Sequence, residues 1–190
     1  MVTKLDPMYF CVAVTALLAD IGEDPRREGL LDTPERVLES YRELTSGYKV
    51  DPLSVFTTFE AEGYDQIVLV KDVPLTSLCE HHLLPFIGVA HVGYIPRHRI
   101  AGLSKFKRLV DIYARRLQVQ ERLTRQVLDT IVEVLEPRGA MVVVEAEHTC
   151  MTIRGVQAPG SRTVTSAVAG DFLNEAEARA EFLSLVGRKG

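Results

Sequence analysis

The apolar positions of this chain recur first at helical spacing, then in short β-branched runs, then at helical spacing again. Pro7 to Ala19 predicts one helix, ended near Gly22, and Asp24-Pro25-Arg26-Arg27-Glu28-Gly29 predicts a turn-rich connector. Asp32-Thr33-Pro34-Glu35 opens a second helix, a capping side chain ahead of Pro34, which runs to about Thr45 and stops near Gly47. From Gln66 the period changes. Ile67 to Val70, Phe86 to Tyr94 and Met141 to Glu145 read as strands. Thr149 to Arg154 and Arg162 to Val168 are candidate partners for the last of these, joined through Pro159-Gly160. Between the strands, Ser104 to Leu117 and Gln120 to Leu135 read as helices. In the second, Leu123, Val127, Leu128, Ile131, Val132 and Leu135 fall on one face. Asn174 to Leu185 returns to helix. This order predicts an α+β fold with an antiparallel sheet, divided into a helical region over residues 1–60 and a sheet domain over 61–190.

Composition narrows the class. With 190 residues, 46% apolar and 25% charged, the chain is an ordinary globular protein with one main domain. A formal net charge of -4 argues against general nucleic-acid binding and against an anionic membrane surface. Any polyanionic ligand must then be held by a local basic cluster. Met8 to Leu18 is too short to span a bilayer and lacks a strongly basic leader, so it reads as a buried amphipathic helix. Three cysteines, an odd number, suit a reduced cytoplasmic protein better than a disulfide framework.

The chemistry concentrates in Cys79-Glu80-His81-His82 and Glu147-His148-Thr149-Cys150. Cys79 and His82 are spaced C-x2-H, so one turn can bring both to a single metal, and Cys150 can close the set from a second segment. Thiolates with imidazole are what zinc prefers, and three protein ligands leave one position for water. The alternative for the cysteines is a pair of buried thiols or a disulfide. The deaminase pattern H-x-E with P-C-x-x-C and the H-E-x-x-H helix are both absent. His81 and His148 are then free for proton transfer; otherwise they pack or donate hydrogen bonds. If Cys150 lies in a strand, His148 shares its face. His91 and His98 carry only a structural reading.

A second cluster, Ser104-Lys105-Phe106-Lys107-Arg108, opens a helix. Lys105 and Arg108 share a face, and basic residues are disfavoured by the dipole at a helix N-terminus, so an anion is implied, within reach of Arg154. Ser104 could equally be an N-cap. Glu121, after Gln120 near a helix start, is either a dipole complement or an acceptor for the paired N–H groups of a guanine, and spacing alone does not choose.

Together these residues resemble the GTP cyclohydrolase I family. The likeness runs from about Asp24 to the last helix. It is dense in C-E-H-H at Cys79 to His82, G-L-S-K at Gly102 to Lys105, and Q-V-Q-E-R-L-T at Gln118 to Thr124. It continues through E-A-E-H-T-C-M-T-I-R-G-V at Glu145 to Val156 and P-G-S-R-T-V-T-S at Pro159 to Ser166. The resemblance implies a tunnelling (T) fold, an antiparallel sheet with helices on one side plus the N-terminal helical region, assembled into a toroidal homodecamer with active sites at subunit interfaces. It implies zinc on Cys79, His82 and Cys150, proton transfer by His81 and His148, and help from Ser104 in a ribose rearrangement. Glu121, helped by Gln120, would recognise guanine, while Lys105, Arg108 and Arg154 hold the triphosphate and Arg36 reaches it from a neighbouring subunit. The implied reaction turns GTP and water into 7,8-dihydroneopterin triphosphate and formate. Rival readings are a non-catalytic nucleotide or pterin binder with structural zinc, and a related enzyme acting on another purine or pterin.

Overall fold

In the computed structural model the described residues are 6–187. The chain divides into two compact units, one ending at Thr45 and the other beginning at Ser46. In the first, α1 (Pro7–Asp20) starts where the Asp6 carboxylate accepts the Met8 N–H at 2.9 Å, with Pro7 in its first turn. No residue of α1 is buried, contrary to the sequence expectation. The helix is apolar around much of its circumference, and its partner in this unit, α2 (Thr33–Leu44), covers one side of it, as in the Phe10–Tyr41 ring contact. The capping bond expected at the start of α2 is not made. Thr33 is already helical, and Asp32, itself in the αR region, turns its carboxylate to Arg36 at 3.0 Å.

The second unit begins with short 3-10 turns and then β1 (Thr58–Glu60), β2 (Val68–Cys79), β3 (Pro85–Ile95) and β4 (Arg99–Ala101). There follow α3 (Ser104–Ala114), β5 (Leu117–Gln118), α4 (Gln120–Leu135), β6 (Gly139–His148), α5 (Thr149–Thr152), β7 (Thr163–Gly170), α6 (Asp171–Asn174) and α7 (Ala176–Gly187). Among the described residues the main sheet has the order β5-β2-β3-β6-β7, antiparallel except where β5 joins β2, and β1 pairs with β4 apart from it. The fold is therefore α+β, as the pattern predicts. β2 is longer than the Ile67–Val70 run, because it continues past a bulge between Val70 and Val73 at which Asp72 takes a positive φ of 56°.

Alternate residues of the strands build two cores. Val73, Leu75, Phe86, Val92, Tyr94, Val142 and Val144 meet Phe106 and Leu109 of α3 and Leu123, Val127, Leu128, Ile131 and Leu135 of α4. These are the apolar positions that the helical spacing of α4 singled out, Val132 excepted, which stays on the rim at 36% exposure. Each large aliphatic side chain fully buried here stabilises the fold by about 1.5–3 kcal/mol. The opposite sheet face carries Ile95, Met141 and Val143, and these pack on Phe172 of α6 and Phe182 of α7. Helices thus cover both faces, which corrects the expectation of helices on one side. A Cβ at Gly93 would meet a Phe182 ring carbon at 2.5 Å, so the missing side chain makes room for α7. The expected Thr149–Arg154 strand is also corrected, since β6 ends at His148 and the chain turns into α5.

Candidate metal centre

The sheet brings the two chemical motifs to one end. β2 ends at Cys79, and the chain reverses at once into β3. The Cys79 N–H donates to Leu84 O at 2.9 Å and the Leu83 N–H donates to Cys79 O at 2.8 Å, with Leu83 at a positive φ of 55°. β3 pairs with β6 so that Phe86 faces His148. The Thr149 hydroxyl then donates to Pro85 O at 2.6 Å, which fastens the first turn of α5 to the start of β3. Cys79, His82 and Cys150 converge, each offering one ligand atom, all within 4.8 Å of one another. Cys79 Sγ lies 3.8 Å from His82 Nδ1 and 3.8 Å from His81 Nδ1.

This donor set fits zinc. Tetrahedral bonds of about 2.3 Å to sulfur and 2.0 Å to nitrogen place the two donors about 3.5 Å apart, close to what is found. Cys79 is buried and Cys150 partly buried. Burial pushes the Cys150 thiol up, and neighbouring Cys79 adds to it, so a cation bound here would displace the Cys150 proton. His82 stays exposed, with Arg154 Nη1 at 3.4 Å from its Nε2.

His148 stands at the end of β6, stacked on Phe86 with ring centroids 4.6 Å apart and planes 12° apart. Its Nε2 meets Gln120 Oε1 at 2.8 Å. Burial lowers its pKa and Glu121 opposes this, so the neutral ring is favoured near pH 7. Gln120 is buried at the start of α4, and its amide nitrogen lies within 3.1 Å of Val144 O, Thr163 O and Thr165 Oγ1. Glu121, the next residue, is exposed. His81 is exposed, with Nε2 3.9 Å from Glu80 Oε1.

Two residues without a role in the sequence reading tie these segments together. Arg122 grips Glu80 through both guanidinium nitrogens at 2.6 and 3.0 Å, and this partner holds the Glu80 carboxyl below its usual range. Cys79 pairs with Gln118 of β5, and the Glu80 N–H donates to Gln118 O at 3.0 Å. The turn that carries Cys79 and His82 is thereby fixed to the first turn of α4. Glu80 lies inside the C-E-H-H motif, but nothing in the spacing names Arg122 as its partner.

The proposed phosphate residues are less gathered. Ser104 is already the first residue of α3, which Leu103 precedes, so it is not an N-cap. Lys105 is half-buried and Arg108 exposed. Arg108 lines an open groove with Val50, Val55 and Arg115. Among the described residues, no hydrogen bond or ion pair joins Ser104, Lys105 or Arg108 to the cysteine cluster. Arg36 stands on α2, paired with Asp32.

The fold and the site thus define an α+β protein with a three-donor Cys-His-Cys cluster that could hold a metal, flanked by a half-buried histidine. Residues 11–187 match the sequence model of the GTP cyclohydrolase I family. A GTP cyclohydrolase 1 of Halalkalibacterium halodurans is 56% identical over 97% of this chain and 98% of its own. Those of Geobacillus kaustophilus and Mycobacterium tuberculosis are each 58% identical, over 92% and 93% of this chain and 93% and 89% of their own. The chain belongs to the GTP cyclohydrolase I family.

Proposed function

We propose that this chain hydrolyses GTP to 7,8-dihydroneopterin triphosphate and formate at the Cys79–His82–Cys150 centre, with zinc as its metal. The observation that carries the reading is the convergence of those three donors beside His148 in a chain of this family. Bound there, zinc supplies Lewis acidity and an activated water at neutral pH.

The protein groups do the rest. Glu121 accepts the paired N–H groups of the guanine, and Lys105, Arg108 and Arg154 hold the triphosphate, with Arg36 of a neighbouring subunit. The phosphates do not react, and their binding serves to position the purine. Water adds at C8 of the guanine while His148, or His81, takes up the proton that water gives up and passes it to N7. The five-membered ring opens, and a second hydrolysis releases formate. With Ser104 assisting, the ribose opens, rearranges and recloses onto the purine-derived nitrogen, expelling water, so that one water is consumed overall.

The assembly proposed with this chemistry is a toroidal homodecamer of T-fold subunits, located in the cytoplasm. Its support is local. Leu103, Ile153 and Val156, beside Ser104 and Arg154, are 65%, 67% and 72% exposed, as befits surfaces that a second subunit covers. Among the described residues no helix is long and apolar enough to cross a membrane.

The deciding experiment is GTP turnover by zinc-loaded protein, read as fluorescence of the oxidised pterin and as formate released. A GTP-dependent signal abolished by a chelator is expected. No signal from zinc-loaded protein would favour a binding role or another purine substrate.

A further inference from the structure

We propose that Gln120 is a positioning residue for His148. It holds the imidazole as the Nε2–H tautomer and leaves Nδ1 as the nitrogen that exchanges a proton with substrate. The inference rests on the reading of His148 as a proton-transfer group.

The polarity of the surrounding hydrogen bonds carries it. Gln120 is 1% exposed. Its amide nitrogen lies 3.0 Å from Val144 O and 3.0 Å from Thr163 O. Backbone carbonyls only accept, so a flipped amide would set its oxygen against both of them. The hydroxyls impose the same direction. Thr124 Oγ1 donates to the backbone carbonyl of Gln120 at 2.8 Å, so it must receive the Thr165 hydroxyl hydrogen across 2.6 Å. Thr165 Oγ1 is then an acceptor for the Gln120 amide at 3.1 Å. The amide oxygen is thereby turned to His148 Nε2 at 2.8 Å. An amide oxygen has no hydrogen to give, so Nε2 must carry one.

The ring has little freedom to answer otherwise, because Phe86 lies flat against it. The same bonds engage both amide hydrogens of Gln120 inside the protein, which leaves recognition of the guanine edge to Glu121. A buried partner that fixes tautomer and orientation is how a histidine is prepared for proton transfer. The two strands that supply Val144 and Thr163, the helix that carries Gln120 and the strand end that carries His148 meet at this one amide.

Two measurements test this. The first is the imidazole 15N spectrum of histidine-labelled, zinc-loaded protein, with the His148 signals identified by their loss in His148→Ala. Protonated Nε2 and bare Nδ1 are expected; the reverse tautomer would overturn the inference. The second is Gln120→Met, which keeps the side-chain volume and removes the amide. Its kcat should fall about 10–100-fold, the usual cost of losing such a supporting partner, with KM for GTP unchanged. In a His148→Ala background the same change should cost nothing more, because Gln120 acts through that ring. A raised KM with kcat retained, or a loss that adds to that of His148→Ala, would return Gln120 to the guanine edge. Wild-type turnover by His148→Ala would instead sink the role given to His148, whatever its tautomer. Should Gln120→Met not fold, the wild-type spectrum decides by itself.

Discussion

Cys150 illustrates how far a single side chain depends on what surrounds it. Its thiol is pushed up by burial and by Cys79, so a cation bound there would have to displace its proton. Cys150→Ser is expected to lose zinc and turnover together. Full metal content in that variant, measured by atomic absorption, would remove Cys150 from the ligand set. His148 is the converse, a group beside the centre rather than in it. His148→Ala should keep its zinc while kcat falls by about 10²–10⁴-fold, the range for a general acid–base group. At this scale the convergence of Cys79, His82 and Cys150 was legible in the sequence, since C-x2-H and a second cysteine motif suggest a shared metal. Phe86, Glu80 and Arg122 were not, because what matters in them is the partner and not the residue type.

At the scale of elements, periodicity placed α3 and α4 well and misjudged α5. Thr149 to Arg154 looks β-prone, yet the Thr149 hydroxyl bond to Pro85 O turns the chain just after His148. His148 and Cys150 are therefore neighbours across a strand end and not along one strand face. The second sheet face was also hidden, because Gly93 and Phe182 declare no contact in sequence. Gly93→Ala should destabilise the protein by about 1–3 kcal/mol through overpacking against Phe182. An unchanged urea midpoint would mean that α7 yields freely.

The bulge in β2 has a pH signature of its own. His91 on β3 is buried and its Nδ1 accepts the Asp72 N–H at 3.2 Å. Burial lowers its pKa, while the Asp72 and Glu145 carboxylates oppose this and Lys71 adds to it. The unfolded chain therefore binds this proton more readily than the folded one. Its contribution to stability is whole above the ordinary histidine value of about 6.5 and is lost as pH falls below it toward the folded pKa. His91→Leu should flatten the stability profile in that window. An undiminished slope between pH 7 and 5 in urea titrations would assign the effect to other groups.

At the scale of the whole molecule the three candidate donors converge within one chain, whereas the phosphate site is proposed to draw on two. Arg36 belongs to the first unit and is proposed to serve a neighbour. Arg36→Ala and His148→Ala subunits, each impaired alone, should then recover activity when co-assembled, because some interfaces pair an intact Arg36 with an intact His148. Failure to recover in hybrids shown to be mixed would place Arg36 in its own subunit's site or outside any.

The sequence by itself determined the α+β class, the apolar faces of α3 and α4, the candidate metal donors and the family. Those features depend on residue type and on spacing within one segment. Only the tertiary structure decided that helices cover both sheet faces, that Arg122 binds Glu80, and that Gln120 turns its amide oxygen to His148. Each of these is a contact between segments distant in the chain. A hydrogen bond's direction in particular is set by every donor and acceptor around it, and no local pattern holds that information.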